Sequence, residues 1–218
     1  MSFIKYVTLI LLGLGPSYGD KESWGERSAR MEVIATAIDD AAAQATCSDK
    51  YATSSCEKLW PKDKKSLALL LVTKGFFESR FAKNVHEGHC LDYECDSYKG
   101  SDGSIRHRAR SPWQIQRTGL VNAEEYALMN SATLESTTMS AVVATRYLSN
   151  GMKACKTIHG AMAIYGGATS CTWPGVNARE SFYKTLFAKT DEQLAAAAED
   201  QKVRLESRFK SQVNDDKK

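Results

Sequence analysis

The chain contains 218 residues, which is enough for one substantial domain with a developed core. Apolar residues make up 43% of it and charged residues 25%, which is ordinary for a globular protein. The net charge of +3 at pH 7 is small and no Lys/Arg block stands out, so the composition argues against a nucleic-acid-binding protein.

Residues 1–19, MSFIKYVTLILLGLGPSYG, have the pattern of a secretory signal peptide. Lys5 supplies the positive start, residues 6–14 the apolar stretch, and residues 17–19 a small-residue pattern before Asp20. The apolar stretch is short for a transmembrane helix of about 20 residues, although a retained signal anchor is the competing interpretation. We therefore expect an exported protein, periplasmic or extracellular, that touches a membrane only through this segment.

Six cysteines agree with export, because an even number of cysteines after a signal peptide is typical of disulfides in an oxidising compartment. Many pairings are open to six cysteines. Three sequence-local couples each bracket a loop with helical sequence on either side, and these are the disulfides that we expect: Cys47–Cys56, Cys90–Cys95 and Cys155–Cys171.

The first half of the mature chain predicts two helices and a long loop. Apolar residues recur at helical spacing in residues 23–46. The continuous apolar run at residues 67–72 marks a helix at about residues 63–82 that should be central and buried on nearly all sides. Residues 84–112 are irregular, and a loop this long in a compact domain is usually functional. A small β-hairpin is expected near Trp113.

Helical patterns return from Leu120 onward, in segments separated by Gly, Pro and Cys. The last stretch, residues 191–218, is charged and Ala-rich, and we expect a solvated helix that frays in the terminal NDDKK. The predicted organisation is one mostly α (α+β) domain at residues 20–190, followed by a charged C-terminal helix or tail.

Glu78 is an acidic residue near the end of the predicted central helix, in the stretch KGFFESRF. Apolar surroundings and the negative end of a helix dipole both disfavour a charged carboxyl, which suits a general acid working near neutral pH. Gly75 lies one turn earlier on the same face and is expected to leave room for a ligand. The alternative is an ordinary helix-end glutamate paired with a neighbouring cation: Arg80, Lys74 or Lys83.

Three segments in chain order carry a family resemblance: ESRF at residues 78–81, SPWQIQ at 111–116 and AMAIYGGA at 161–168. Together they resemble the motif series of soluble lytic transglycosylases and goose-type lysozymes, in the lysozyme-like superfamily. The resemblance implies a lysozyme-like fold with a central buried helix and a long loop. It also implies that Glu78 is the catalytic acid/base, beside the following substrate-binding residues: Ser79, Gln114, Ile115 and Tyr165.

The activity that the resemblance implies is cleavage of the β-1,4 bond between N-acetylmuramic acid and N-acetylglucosamine in peptidoglycan. A lytic transglycosylase needs one carboxyl, whereas a lysozyme-type hydrolase also needs a base that positions water. Asp92 and Asp102 in the long loop are candidates for that base, as are Glu94 and Asp96, and the sequence leaves both routes open. The expected partners are peptidoglycan glycan strands, bound by a monomer.

Two other interpretations compete with parts of this prediction. A cluster of zinc-type ligands would suit a metal site, but oxidised cysteines cannot bind zinc, so we expect no metal and no cofactor; the cluster comprises His86, His89, Cys90 and Cys95. The second interpretation is a catalytically inactive lysozyme-like protein that binds or scaffolds peptidoglycan. It is motivated by departures from the family motifs at residues 111–113, where Gly-Leu-Met is usual, and at Gly166, where Asn is common.

Overall fold

The structure is a computed structural model that describes residues 1–17 and 20–215, with side chains as far as residue 208. Two sequence predictions reach outside these ranges. The small-residue pattern before the expected cleavage site includes Tyr18 and Gly19, and the predicted fraying of the C-terminus includes residues 216–218. Both lie outside the described residues.

About 61% of the residues are helical, so the prediction of a mostly α protein is confirmed. The helices of the described chain are α1 (Phe3–Gly13), α2 (Trp24–Thr46), α3 (Lys64–Ser79), α4 (Lys83–His86), α5 (Ala123–Leu128), α6 (Leu134–Cys155), α7 (Ile158–Tyr165), α8 (Asn177–Ala188) and α9 (Asp191–Asp215). Single 3-10 turns occur at Asp49–Tyr51 and Pro174–Val176.

The strands lie in the long loop and form two antiparallel hairpins. Strand β1 (Ser97–Lys99) pairs with β2 (Ile105–His107), and β3 (Ala109–Arg110) pairs with β4 (Ile115–Gln116). The β3–β4 hairpin encloses Trp113, which is fully buried. The hairpin expected near Trp113 is therefore present.

Helix α3 is the central helix of the fold, as predicted. Every residue from Ser66 to Gly75 is buried, and the helix packs against α2, α6 and α8. Asp63 caps its start, since the side chain accepts a 2.8 Å hydrogen bond from the Ser66 amide. The helix ends earlier than expected, at Ser79, because Arg80 and Phe81 adopt left-handed φ angles of 53° and 52°.

Helix α1, in the predicted signal segment, packs in the described chain against α2 and α9. Its buried residues are Tyr6, Val7, Ile10, Leu11 and Leu12. Cleavage of this segment is a processing step and stays a prediction. Over residues 191–208, most side chains of helix α9 are exposed, but Leu194, Ala198 and Leu205 are buried, so one face of this part of the helix is packed rather than solvated.

All three expected disulfides are present: Cys47–Cys56, Cys90–Cys95 and Cys155–Cys171. The Cys90–Cys95 bridge takes both sulfurs of the HEGHC–YEC cluster, so they are not free to bind zinc. Three disulfides are typical of a protein that matures in an oxidising compartment. Over the described ranges, no helix combines the length and the apolar character needed to cross a membrane.

Candidate active site

Glu78 lies in the last turn of α3, at the point where two cavities meet. The first cavity has a volume of about 490 Å³ and the second about 360 Å³, and Glu78 and Gln114 line both. Further residues lining the first cavity include Asp96, Ile115, Gln116, Thr118, Tyr147 and Tyr165. Ser79, Tyr93 and Glu94 are among those lining the second. Because the two cavities share Glu78 and Gln114, we refer to them together as the groove.

Two cations contact the Glu78 carboxyl, and both approach the same oxygen. Lys74 Nζ lies 2.6 Å from Oε1 and Arg179 Nη2 lies 3.4 Å from it. Oε2 accepts no hydrogen bond from a described residue, and the Glu78 side chain is 21% exposed. The ion pair with Lys74 was one of the alternatives from the sequence, and here it coexists with an oxygen left available at the cavity.

Lys74 itself is completely buried, and its Nζ lies 4.2 Å from the centre of the Tyr165 ring. Burial lowers the pKa of Lys74 to about 8; the Glu78 charge opposes this shift and Arg179 adds to it. The ammonium of Lys74 is therefore held by one carboxylate and one aromatic face.

Tyr165 packs against Lys74 and is itself held by a chain of hydrogen bonds. Its hydroxyl donates a 2.7 Å hydrogen bond to the carbonyl of Trp113, and the Trp113 indole donates to the carbonyl of Leu71 at 2.9 Å. Burial raises the pKa of Tyr165 well above its ordinary value, and the charge of Glu78 raises it further. A neutral Tyr165 thus joins the end of α7 to the β3–β4 hairpin and to α3.

Ser79 joins the end of α3 to the same hairpin. Its single hydroxyl proton is shared between the carbonyls of Pro112 at 2.8 Å and Gly75 at 3.2 Å, and its oxygen accepts from the Phe81 amide at 3.1 Å. The room expected beside Gly75 is filled by the Phe81 ring, since a Cβ at Gly75 would lie 2.3 Å from Phe81 Cζ. Gly75 therefore serves packing and not ligand binding.

Gln114 and Ile115 reach the groove from the hairpin. Gln114 has a φ of 52°, and its side-chain amide donates to Cys95 Sγ at 3.3 Å and to the Ser111 carbonyl at 3.4 Å. Ile115 is buried in β4 and lines the first cavity. The structure thus brings all the residues named by the resemblance to the two cavities: Glu78, Ser79, Gln114, Ile115 and Tyr165.

The acids of the long loop divide into two groups. Asp92 and Asp102 line neither cavity. Asp102 lies at the exposed β1–β2 turn, where hydrogen bonds from Ser104 and then from Arg106 lower its pKa. Asp96 lines the first cavity and accepts a 3.0 Å hydrogen bond from Gln116 Nε2, and Glu94 lines the second.

Sequence reasoning did not find two residues of the site. Arg179 of α8 contacts Glu78, and Tyr147 of α6 lies with its ring 5.8 Å from that of Tyr165 and its hydroxyl 3.1 Å from the Gln116 carbonyl. Both sit in ordinary amphipathic helices, where no local pattern distinguishes them from surface residues.

Comparison with protein-family models, curated proteins and solved structures finds no match to this chain. The resemblance to the lysozyme-like superfamily therefore rests on its three sequence segments. Within the described ranges, no group of three or more His, Cys, Asp or Glu side chains is placed to hold a metal ion. The chemistry of the site is that of a carboxyl, two cations and an open groove.

Proposed function

We propose that the protein cleaves the β-1,4 bond between N-acetylmuramic acid and N-acetylglucosamine in peptidoglycan, with Glu78 as general acid/base. The observation that carries this proposal is the position of Glu78 where the two cavities meet. A polymer that occupied both cavities would pass the carboxyl, and one of its bonds would lie beside Oε2. A small ligand would need only one of them.

The lining of the groove also suits a sugar chain. Tyr147 and Tyr165 supply aromatic surface in the first cavity, and Gln116 and Thr118 supply polar groups beside them. Sugar rings have apolar faces and hydroxyl edges, so aromatic and hydrogen-bonding side chains together can hold them. Tyr93 offers a further aromatic surface in the second cavity.

The chemistry begins with proton donation from Glu78 to the glycosidic oxygen as the bond breaks. The resulting carboxylate then takes a proton either from a hydroxyl of the cleaved sugar, which gives an anhydro product, or from water. Asp96 lines the same cavity as Glu78, so it is the acid that a hydrolytic route would use to position water. Without such a group the route is that of a lytic transglycosylase.

The proposed substrate is outside the cytoplasmic membrane, and the proposed location of the protein follows from it. The signal-like segment at residues 1–19 and the three disulfides both fit a periplasmic or extracellular enzyme. No cofactor is needed for acid/base cleavage of a glycosidic bond.

Digestion of purified peptidoglycan tests the activity. The wild-type protein should release soluble fragments, and mass spectrometry of their ends should show anhydro termini for a transglycosylase or reducing termini for a muramidase. If neither kind of fragment is released by folded, oxidised protein, the enzymatic proposal is wrong.

A second candidate function is favoured by the ion pairs of Glu78. Lys74 and Arg179 both pair with the carboxylate, and in this candidate the paired carboxylate serves to bind a ligand and donates no proton. The protein would then be a lysozyme-like module that binds or scaffolds peptidoglycan without cutting it. Sedimentation with insoluble peptidoglycan that is equal for wild type and Glu78→Gln, together with no release of fragments, would support this candidate.

A further inference from the structure

Lys74 is a buried lysine with few hydrogen-bond acceptors around its ammonium group. Its side chain has 0% exposure, and its one hydrogen bond within the described chain goes to Glu78 Oε1 at 2.6 Å. It lines neither cavity. A buried ammonium needs several acceptors to replace water, and here two of its three hydrogens have none. Lys74 therefore acts on a ligand only through Glu78.

Three groups from three helices act on Lys74 within the described chain. Glu78 on its own helix stabilises the ammonium, as does the ring of Tyr165 from α7. Arg179 from α8 repels it. Tyr147 from α6 stands behind Tyr165. Burial outweighs the attraction and lowers the pKa of Lys74 to about 8, so the neutral amine is within reach near physiological pH.

We propose that Lys74 and Glu78 share one proton, and that Lys74 supplies the proton with which Glu78 acts as general acid. The proposal rests on the proposed function of Glu78. The proton moves along the 2.6 Å hydrogen bond from Nζ to Oε1, so the ammonium becomes an amine and the carboxylate becomes a carboxylic acid. The net charge of the pair does not change, and no proton is needed from solvent.

The proton balance closes over one reaction cycle. A half-turn of the carboxyl about its terminal torsion, which is soft, exchanges the two oxygens and presents the proton to the groove. Glu78 gives that proton to the glycosidic oxygen as the C–O bond breaks. The carboxylate then takes a proton from the sugar hydroxyl or water that completes the reaction, and this proton returns to the pair.

The pH profile separates proton supply from a merely structural role. The pair holds its shared proton up to about pH 8, so wild-type kcat should fall only above that pH. Lys74→Met removes the amine that supplies the proton to Glu78. The alkaline limb of the pH profile of kcat should therefore move to lower pH by at least one unit. At pH 7.5 a limb that moves from about pH 8 to pH 7 corresponds to a loss of at least about threefold.

Two variants separate the effect of proton supply by Lys74 from the effect of its positive charge. Lys74→Arg keeps a cation beside Glu78 but does not release its proton, so it should lose activity at pH 7.5 as Lys74→Met does. Lys65→Met removes a lysine of the same helix that lies over the Phe187 ring, away from the groove, and should leave the profile unchanged. Wild-type activity and profile in Lys74→Arg would overturn the proposal, as would a uniform fall in kcat without a shift.

A measurement that needs no turnover provides the second arm. Lysines labelled at Cε with ¹³C are titrated by NMR in wild type and in Glu78→Gln. Loss of the carboxylate charge should move the Lys74 midpoint to lower pH, and an unchanged midpoint would contradict proton sharing. If wild type releases no fragments, the proposed function fails whatever the titration shows. If it releases them while the Lys74 variants keep the wild-type profile, only this inference fails.

Discussion

Two clusters of charged side chains within the described chain are built differently. In the first, the Glu22 cluster, the carboxylate is fully buried and both its oxygens are paired: Oε1 lies 3.0 Å from Arg27 and 2.6 Å from Arg30, and Oε2 lies 2.9 Å from Arg30 Nε. The arginines also donate to the carbonyls of Gly15 at 2.5 Å and Phe81 at 2.6 Å. This cluster ties α2 to the chain segments on either side of it.

In the second, the Glu78 cluster of Lys74, Glu78 and Arg179, one carboxylate oxygen has no partner among the described residues, and the carboxyl lines the groove. The buried cation is a lysine, which releases its proton when burial lowers its pKa, whereas an arginine does not. A closed cluster whose carboxylate has both oxygens paired holds the fold together. An open cluster with a removable proton is suited to chemistry.

The largest expected effect on stability comes from breaking the first cluster. Glu22→Gln leaves the two buried guanidinium groups with Asp20, 3.7 Å from Arg30, as their nearby carboxylate, and we expect a loss of about 3 kcal/mol in the free energy of unfolding. Glu78→Gln should cost about 1 to 2 kcal/mol, because Lys74 can lose its proton and Arg179 can reach solvent. Urea unfolding of both variants measures the difference. Equal losses would remove the distinction between the two clusters.

Acid should destabilise the fold at the first cluster. His86 is buried beside it, shares a 2.8 Å hydrogen bond with Thr137 Oγ1, and has a pKa lowered to about 3 by burial and by the charge of Arg30. The unfolded chain binds a proton at this histidine below about pH 6.5, and the folded chain does not. Stability is therefore lost progressively between pH 6.5 and pH 3, by about 3 kcal/mol at pH 4.5.

The variant His86→Gln isolates this contribution. It cannot titrate, so the difference in unfolding free energy between wild type and variant should shrink as the pH falls from 7 to 4.5. Other carboxyls titrate in both proteins and cancel in the comparison. A constant difference over this range would show that His86 binds a proton as readily in the folded as in the unfolded state, which would contradict its lowered pKa.

The smallest expected effect on stability comes from the hydrogen bond of Ser79, which joins the end of α3 to the β3–β4 hairpin. Ser79→Ala removes the hydrogen bond to the Pro112 carbonyl, and we expect a loss of about 1 kcal/mol in stability. Because that bond positions the hairpin bearing Gln114, fragment release should fall further than stability alone explains. Ser170→Ala, whose hydroxyl bonds only to an exposed loop threonine and its amide, serves as the control. Equal rates for the two variants would show that Ser79 does not position the groove.

Much of the fold was predictable because its signals are local. The apolar run at residues 67–72 identified the central helix, and the three local cysteine couples are the three disulfides. Packing between distant segments was not predictable in the same way. The contact between Arg179 and Glu78 depends on how α8 packs against α3. The contact of the Phe81 ring with Gly75 depends on the left-handed backbone conformation of Phe81.

In the candidate site, too, local sequence signals were predictable and contacts between distant segments were not. The order of the three motif segments pointed to Glu78, Gln114 and Tyr165, and the structure brings these residues to one groove. The charge state of the site depends on Lys74, whose burial comes from the packing around α3 and not from the residues next to it in the sequence. An amphipathic pattern marks which residues are buried, and it does not reveal their partners.

The central claim is that Glu78 is the general acid of a peptidoglycan-cleaving groove. The most direct test compares initial rates of muropeptide release by wild type, Glu78→Gln and Glu199→Gln, each at the same folded concentration. Glu199 is an exposed carboxylate of α9 that lines neither cavity, so it controls for the loss of a charge away from the groove. We predict a loss of about 10²- to 10⁴-fold for Glu78→Gln and a small change for Glu199→Gln. Release by Glu78→Gln at the wild-type rate would contradict the account.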